Sequence, residues 1–186
     1  VLYGFRARGV FPVAGGFALS CIAFMLLEGG NIPGLLAQLP LPGIDPPVIR
    51  AVVEGLMAAF LRLLLSFMSE LQRVSRTAGS VMLALGGLAF MLPVYGLADP
   101  IGATMGARVL FAVTALGGFV LVSVLWRLNE VKPETAFLSW GAILIWTILA
   151  VAAALAENPG PATPAILVAG LAAVLVVIGF ALAHFA

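Results

Sequence analysis

The sequence predicts an all-α, polytopic bundle of five or six transmembrane helices, one of which is long and amphipathic. Hydrophobic residues make up 63% of the 186 residues and charged residues only 9%, whereas soluble domains contain roughly 45–50% apolar and about 25% charged residues. The apolar residues form runs close to the roughly 20 that cross a bilayer core. We therefore expect one transmembrane domain over residues 1–186, solvated largely by lipid.

Composition also argues against several kinds of site. A net charge of +1 gives no electrostatic basis for binding nucleic acid. Cys21 and His184 are the only cysteine and histidine, so a cysteine-based metal site or a bis-histidine haem within the chain is excluded. The sequence contains no phosphate-binding loop, zinc-protease motif or nucleophile elbow. We expect no catalytic residues, metal or cofactor, and no enzymatic activity.

Five runs are long enough and apolar enough for spans. They are residues 10–27, 79–97, 109–126, 135–156 and 163–185. Pro93 predicts a kink in the second run. Residues 31–47 contain five prolines, which predicts an irregular loop that packs on the bundle or dips into the interface.

Residues 48–76 predict the long amphipathic helix, and its polar face carries the candidate site. At 100° per residue, one side of this helix carries Glu54, Arg62, Ser66, Ser69, Gln72, Arg73 and Arg76. Its other side is apolar. Two interpretations remain open: a sixth span with a polar face, or a helix that lies in the membrane interface.

The distribution of charge favours six spans. With six spans, most basic residues share the cytoplasmic side, which lysine and arginine prefer. These residues are Arg6, Arg8, Arg73, Arg76, Arg127 and Lys132. Arg50 and Arg108 are the exceptions, and both lie at helix ends from which long side chains can reach the interface. With five spans, the end that carries Arg6 and Arg8 falls opposite the loop that follows Arg127.

Glu54 and Arg62 would then lie at membrane depth, where a charge costs about 2.5–3.5 kcal/mol on insertion scales. Because they are roughly 12 Å apart along the axis, each needs a partner elsewhere. We interpret them, with Ser66 and Ser69, as the polar lining of a solute or proton path. The alternative is a charged face that meets water or headgroups at the interface.

Other residues are candidates for contacts with lipid or with other helices. Arg73 and Arg76 suit contact with anionic lipid or a partner, and simple cytoplasmic anchoring is the alternative. Small residues let helices approach closely in lipid. Two sets have that spacing: Gly102 with Gly106, and Ala165, Ala169 and Ala173.

These observations favour a membrane component of a transport system. The first alternative is a structural or accessory subunit of a larger membrane complex, and the second is a membrane-embedded enzyme that acts on lipid. We expect the partners to be the lipid bilayer and other membrane subunits or further copies of the chain. The expected location is a bacterial cytoplasmic membrane. Because the sequence begins with Val1, we allow that the domain belongs to a longer chain.

Overall fold

A computed structural model describes residues 2–30, 45–68, 76–127, 133–156 and 160–183, without the side chains of residues 2–8, 68 and 133–136. Within these ranges the regular structure is entirely helical. The helices are α1 (Leu2–Glu28), α2 (Pro46–Met68), α3 (Arg76–Ala89), α4 (Met91–Tyr95), α5 (Pro100–Arg127), α6 (Pro133–Leu155) and α7 (Thr163–Ala183).

Five helical segments are long and apolar enough to cross a bilayer. They are Gly9–Glu28, Arg76–Tyr95, Pro100–Arg127, Phe137–Leu155 and Thr163–Ala183, and they coincide with the five predicted runs. Large apolar side chains on their outer faces are exposed, among them Leu19, Ile101 and Val176. A water-soluble domain does not expose so many apolar side chains, so the chain is an integral membrane protein.

Five helices form a closed ring. In order around it, α1 contacts α2, α2 contacts α5, α5 contacts α6, α6 contacts α7, and α7 returns to α1. Its interior is filled by side chains from all five, of which Phe17, Leu61, Trp140 and Leu171 are fully buried. Trp146 lies at the meeting of four helices: its ring centroid is 6.1 Å from that of Phe24 and 5.4 Å from that of Phe111, and its indole N–H donates to the Leu167 carbonyl.

α2 is the most enclosed helix, because α3 and α4 pack on it from outside the ring. No residue from 48 to 67 is exposed. The helix begins at Pro46, two residues inside the predicted loop 31–47; residues 31–44 lie outside the described part of the chain. It runs antiparallel to α1 and parallel to α5, and it is not among the five segments above.

The structure describes the predicted helix over 48–76 only as far as Met68, and again at Arg76. α2 ends at Met68, and Arg76 is the first residue of α3, which returns antiparallel along α2. The Ser66 hydroxyl lies 3.0 Å from the Met82 carbonyl oxygen, and Gly55 lies against Pro93. The chain therefore reverses direction between α2 and α3; residues 69–75 lie outside the described part of the chain.

α3 ends at Ala89, and α4 resumes at Met91. Pro93 explains the break, since it has no N–H to donate to the carbonyl of Ala89, four residues earlier. Pro93 is buried against α2. The kink predicted from the sequence is therefore an interruption of the helix, placed where the chain packs on the central helix.

Close approach of the helices depends on one glycine in each of the three Gly-Gly pairs that lie inside helices. A Cβ atom built on Gly16 would meet Phe60, one on Gly86 would meet Leu63, and one on Gly118 would meet the ring of Trp140. The neighbouring glycines, Gly15, Gly87 and Gly117, have nothing within 4 Å. Within each pair, one glycine is thus required by a neighbouring helix and the other faces open space.

Candidate functional site

Glu54 is the first of two buried charges on α2. Its residue is only 3% exposed, and it faces α5. Arg108 binds it through two parallel hydrogen bonds: Nε donates to Oε2 at 2.7 Å and Nη2 donates to Oε1 at 2.9 Å. Such a bidentate arginine–carboxylate pair is among the strongest hydrogen-bonded arrangements in proteins.

Arg50 extends this pair into a network. It lies one helical turn before Glu54, and its Nε donates to Glu54 Oε1 at 3.1 Å. Its Nη2 donates to the carboxylate of Glu28, the last residue of α1. The network, formed by Glu28, Arg50, Glu54 and Arg108, has no net charge and joins the ends of α1, α2 and α5. The side chains of Arg50 and Arg108 are 43% and 48% exposed, so the network reaches the surface.

The sequence pattern indicates Glu54 and predicts that it needs a partner on another helix, in a water-filled cavity or on another subunit. The site predicted from the sequence does not include Arg50, Arg108 or Glu28. The signal was present, because Arg50 and Arg108 were the two arginines that broke the positive-inside pattern. In the structure, each of these arginines pairs with a carboxylate at this end of the bundle.

Arg62 is the second buried charge, and its surroundings are very different. The residue is 9% exposed and faces α3 rather than α5. Its Nη2 lies 2.9 Å from the thioether sulfur of Met82, and its buried Nη1 has no hydrogen-bond partner among the described residues. None of the ion pairs formed by described residues includes Arg62.

Ser66 lies one turn after Arg62 on the same side of α2. Its hydroxyl lies 3.2 Å from the Arg62 carbonyl oxygen and 3.0 Å from that of Met82, so it bridges α2 and α3. Ser69 lies outside the described residues. The predicted polar face is therefore divided: Glu54 is held against α5, whereas Arg62 and Ser66 lie at the contact with α3.

The remaining candidates do not extend this site. Arg73 lies outside the described residues, and Arg76 is exposed at the start of α3. Gly106 lies near Leu92 of α4, and Gly102 lies in the first turn of α5, beside Asp99. Ala165, Ala169 and Ala173 are exposed on the outer face of α7. The alanines thus contact lipid or a second protein rather than the core of this chain.

The same end of the bundle as Glu54 carries a polar contact around Asp99, which lies between two of the span-length segments. The amide of Gly102 donates to Asp99 Oδ1 at 3.0 Å, and the Tyr95 hydroxyl donates to Asp99 Oδ2 at 3.0 Å. Asp99 therefore caps the N-terminus of α5. These hydrogen bonds, above all the one from Gly102, lower the pKa of Asp99 below its ordinary value.

A groove of about 300 Å³ lies between α1 and α2. Its lining is almost entirely apolar and includes Gly16, Leu19, Val53 and Phe60. The one hydroxyl in it, that of Ser20, donates to the Phe17 carbonyl. Neither Glu54 nor Arg62 lines this groove, so it is separate from both buried charges.

Comparison with known proteins adds no family: the sequence matches no family model, no curated protein and no solved structure. The function must therefore be argued from the two buried charges and from their place in the bundle.

Proposed function

We propose that the protein is the membrane component of a transport system, and that α2 is a sixth, central span. At roughly 34 Å, α2 is long enough to cross a hydrocarbon core of about 30 Å. A helix lying in the interface keeps one face in water or headgroups, whereas residues 48–67 include no exposed residue. In this orientation the end that carries Arg76 and Arg127 is cytoplasmic. Location in a bacterial cytoplasmic membrane stays a prediction.

One observation carries the proposal of transport: Arg62 is a buried cation without a carboxylate partner among the described residues. Ionisable groups inside a membrane are costly and usually mark a solute or ion path. Glu54 cannot serve in the same way in this conformation, because both of its oxygens already accept hydrogen bonds from arginines.

In this proposal, the network formed by Glu28, Arg50, Glu54 and Arg108 closes one end of the solute path. It joins three helices at the side opposite Arg76, while Arg62 lies toward the other end of α2. Salt bridges between helices can break and re-form when helices move, as alternating access requires. In this proposal the network closes the outer side, Arg62 meets the solute from the inner side, and the chain catalyses no reaction itself.

Transient currents on a solid-supported membrane test the proposal. Protein extracted in mild detergent, with whatever co-purifies, is reconstituted and exposed to a panel of inorganic and organic ions. We expect at least one ion to give a current that falls at least tenfold in Arg62→Gln. The matched control is Arg127→Gln, which removes an exposed arginine at the same end of the bundle. Equal currents in the two variants would contradict the proposed role of Arg62, and no current with any ion would contradict transport.

An accessory subunit is the second candidate, and one observation favours it. The small side chains of Ala165, Ala169 and Ala173 face outward on α7, and such stripes let helices of separate chains approach closely in lipid. Native mass spectrometry after mild extraction tests this. Other subunits in fixed ratio would support it, and an active protein consisting of this chain alone would exclude it.

A further inference from the structure

The guanidinium of Arg62 lacks the acceptors that a buried arginine requires. Of its five N–H groups, those on Nη1 have no acceptor among the described residues, and within the same part of the chain Nη2 contacts the sulfur of Met82. A thioether is a weak acceptor, and it carries no negative charge. A buried cation is normally paired with an anion, because leaving it unpaired is strongly destabilising.

The missing acceptor is an anion rather than another neutral group. The four charges of the Glu28–Arg50–Glu54–Arg108 network cancel, so no carboxylate there remains to balance Arg62. At the nearest end of the bundle, the described residues also present two exposed cations, Arg76 and Arg127. Charges of one sign around an entrance raise the local concentration of the opposite ion. An anion is therefore favoured both on the way to Arg62 and beside it.

Met82 is the side chain of α3 that contacts the guanidinium of Arg62. It is partly buried between α2 and α3, and methionine changes rotamer easily because it is unbranched. The two helices meet through small residues on α3, since Gly79, Gly86 and Ala89 are its buried positions. Rotation of Met82 would free the outer face of the guanidinium without moving a large side chain.

We propose that Arg62 binds the anionic oxygen group of its ligand, a phosphate or a carboxylate, in the position that the Met82 sulfur now occupies. The planar guanidinium suits such a group, since its parallel N–H bonds match two oxygens of one phosphate or carboxylate. This inference rests on the proposed function in treating α2 as the helix that meets the solute, and it specifies that the solute is an anion.

The test is binding, measured as thermal stability of the purified protein in detergent. Sodium phosphate and sodium acetate are compared with sodium chloride at equal ionic strength, and micelles containing phosphatidylglycerol are compared with detergent alone. At about five times the Kd, we expect the Tm to rise by roughly 2–4 °C. The rise should disappear in Arg62→Gln and persist in Arg127→Gln.

The two sources of the anion give different results. A response to soluble phosphate or acetate identifies a small solute, and a response to phosphatidylglycerol alone identifies a lipid headgroup; either supports the site. The same response in wild type and Arg62→Gln, or no response to any probe, overturns it.

If Arg62→Gln does not fold, Arg62→Lys keeps the charge but loses the parallel donors. We expect it to weaken the apparent affinity at least threefold, and unchanged affinity would contradict the proposal.

Binding and transport can fail separately. A Tm response that depends on Arg62, found together with no current for any ion, would keep the anion site and reject the proposed transport. Currents that depend on Arg62 without any stabilisation by phosphate, acetate or phosphatidylglycerol would keep transport and reject the anion.

Discussion

Glu54 shows how a buried carboxylate is accommodated inside an apolar bundle. Its oxygens accept hydrogen bonds from Arg50, one turn away on α2, and from Arg108, 54 residues away on α5. The first contact follows from helical spacing alone. The second depends on how α5 packs beside α2, so the sequence indicated that a partner was needed but did not identify it.

We predict that Glu54→Gln lowers the free energy of unfolding by about 1–3 kcal/mol, because it leaves Arg108 without a counter-charge, whereas Arg50 keeps the carboxylate of Glu28. This is below the roughly 3–5 kcal/mol lost when a fully buried pair is broken, since both arginines are about half exposed. A double-mutant cycle with Arg108→Gln in detergent measures the coupling. Coupling indistinguishable from zero would show that the pair contributes nothing to stability.

The Gly117–Gly118 pair gives a prediction with an internal control. Gly118→Ala places a methyl group against the Trp140 ring, and overpacking of this kind costs about 1–3 kcal/mol. Gly117→Ala meets nothing within 4 Å and should be neutral or stabilising by up to about 1 kcal/mol, because alanine favours the helix. Thermal unfolding of both variants in the same detergent checks this. Equal effects, or the reverse order, would show that α6 does not pack on Gly118.

Asp99 predicts a dependence of stability on pH. Since folding lowers its pKa, the unfolded chain binds more protons in acid, and stability falls as pH falls. The contribution of Asp99 is complete above its ordinary pKa of about 3.9 and is lost as pH falls through the lowered value. Asp99→Asn keeps a cap without this titration. Between pH 6 and pH 3, the Tm of wild type should fall further than that of Asp99→Asn; parallel curves would contradict the cap.

At the scale of helices, α2 illustrates what a periodic sequence pattern leaves undetermined. Its spacing of polar residues predicted an amphipathic helix, and an interfacial helix would have had the same pattern. The structure instead surrounds it with α1, α3, α4 and α5. The partner of each polar residue depends on which helix packs on each side, and these contacts join residues far apart in the sequence.

The apolar spans were predictable for a simpler reason. Length and hydropathy alone determine whether a helix suits the bilayer, and the five apolar runs coincide with the five span-length segments of the structure. Boundaries were less predictable. α5 begins at Pro100, nine residues before the predicted run, because Asp99 caps it there.

We predict that hydrogen exchange will order the helices by enclosure. Amides of α2 should exchange most slowly, because opening this helix disrupts contacts with four others. Amides of two other helices should exchange faster. These are α3, which packs mainly on α2, and α7, whose main contacts are with α6 and α1. Mass spectrometry of deuterated peptides in detergent resolves these segments. Exchange in α2 as fast as in α3 would contradict a central position.

At the scale of the whole molecule, the two buried charges divide the bundle into two ends. One end is held by a neutral network that links α1, α2 and α5. Toward the other end, α3 covers an arginine with an unmatched N–H group. This asymmetry suits a protein that is closed on one side and accepts an anion on the other, and it depends on α2 crossing the membrane.

The most direct test of that dependence is the sidedness of residues at the two ends of α2. Asp45 lies just before α2, and Thr77 lies in the first turn of α3, which returns along α2. Both positions are exposed and are replaced by cysteine, one at a time. The native Cys21 is fully buried, so background labelling should be low. With a membrane-impermeant maleimide on intact and on inverted membranes, we predict that the two cysteines label from opposite sides. Labelling of both from the same side would show that α2 does not cross the bilayer, and the account of a central charged span would be wrong.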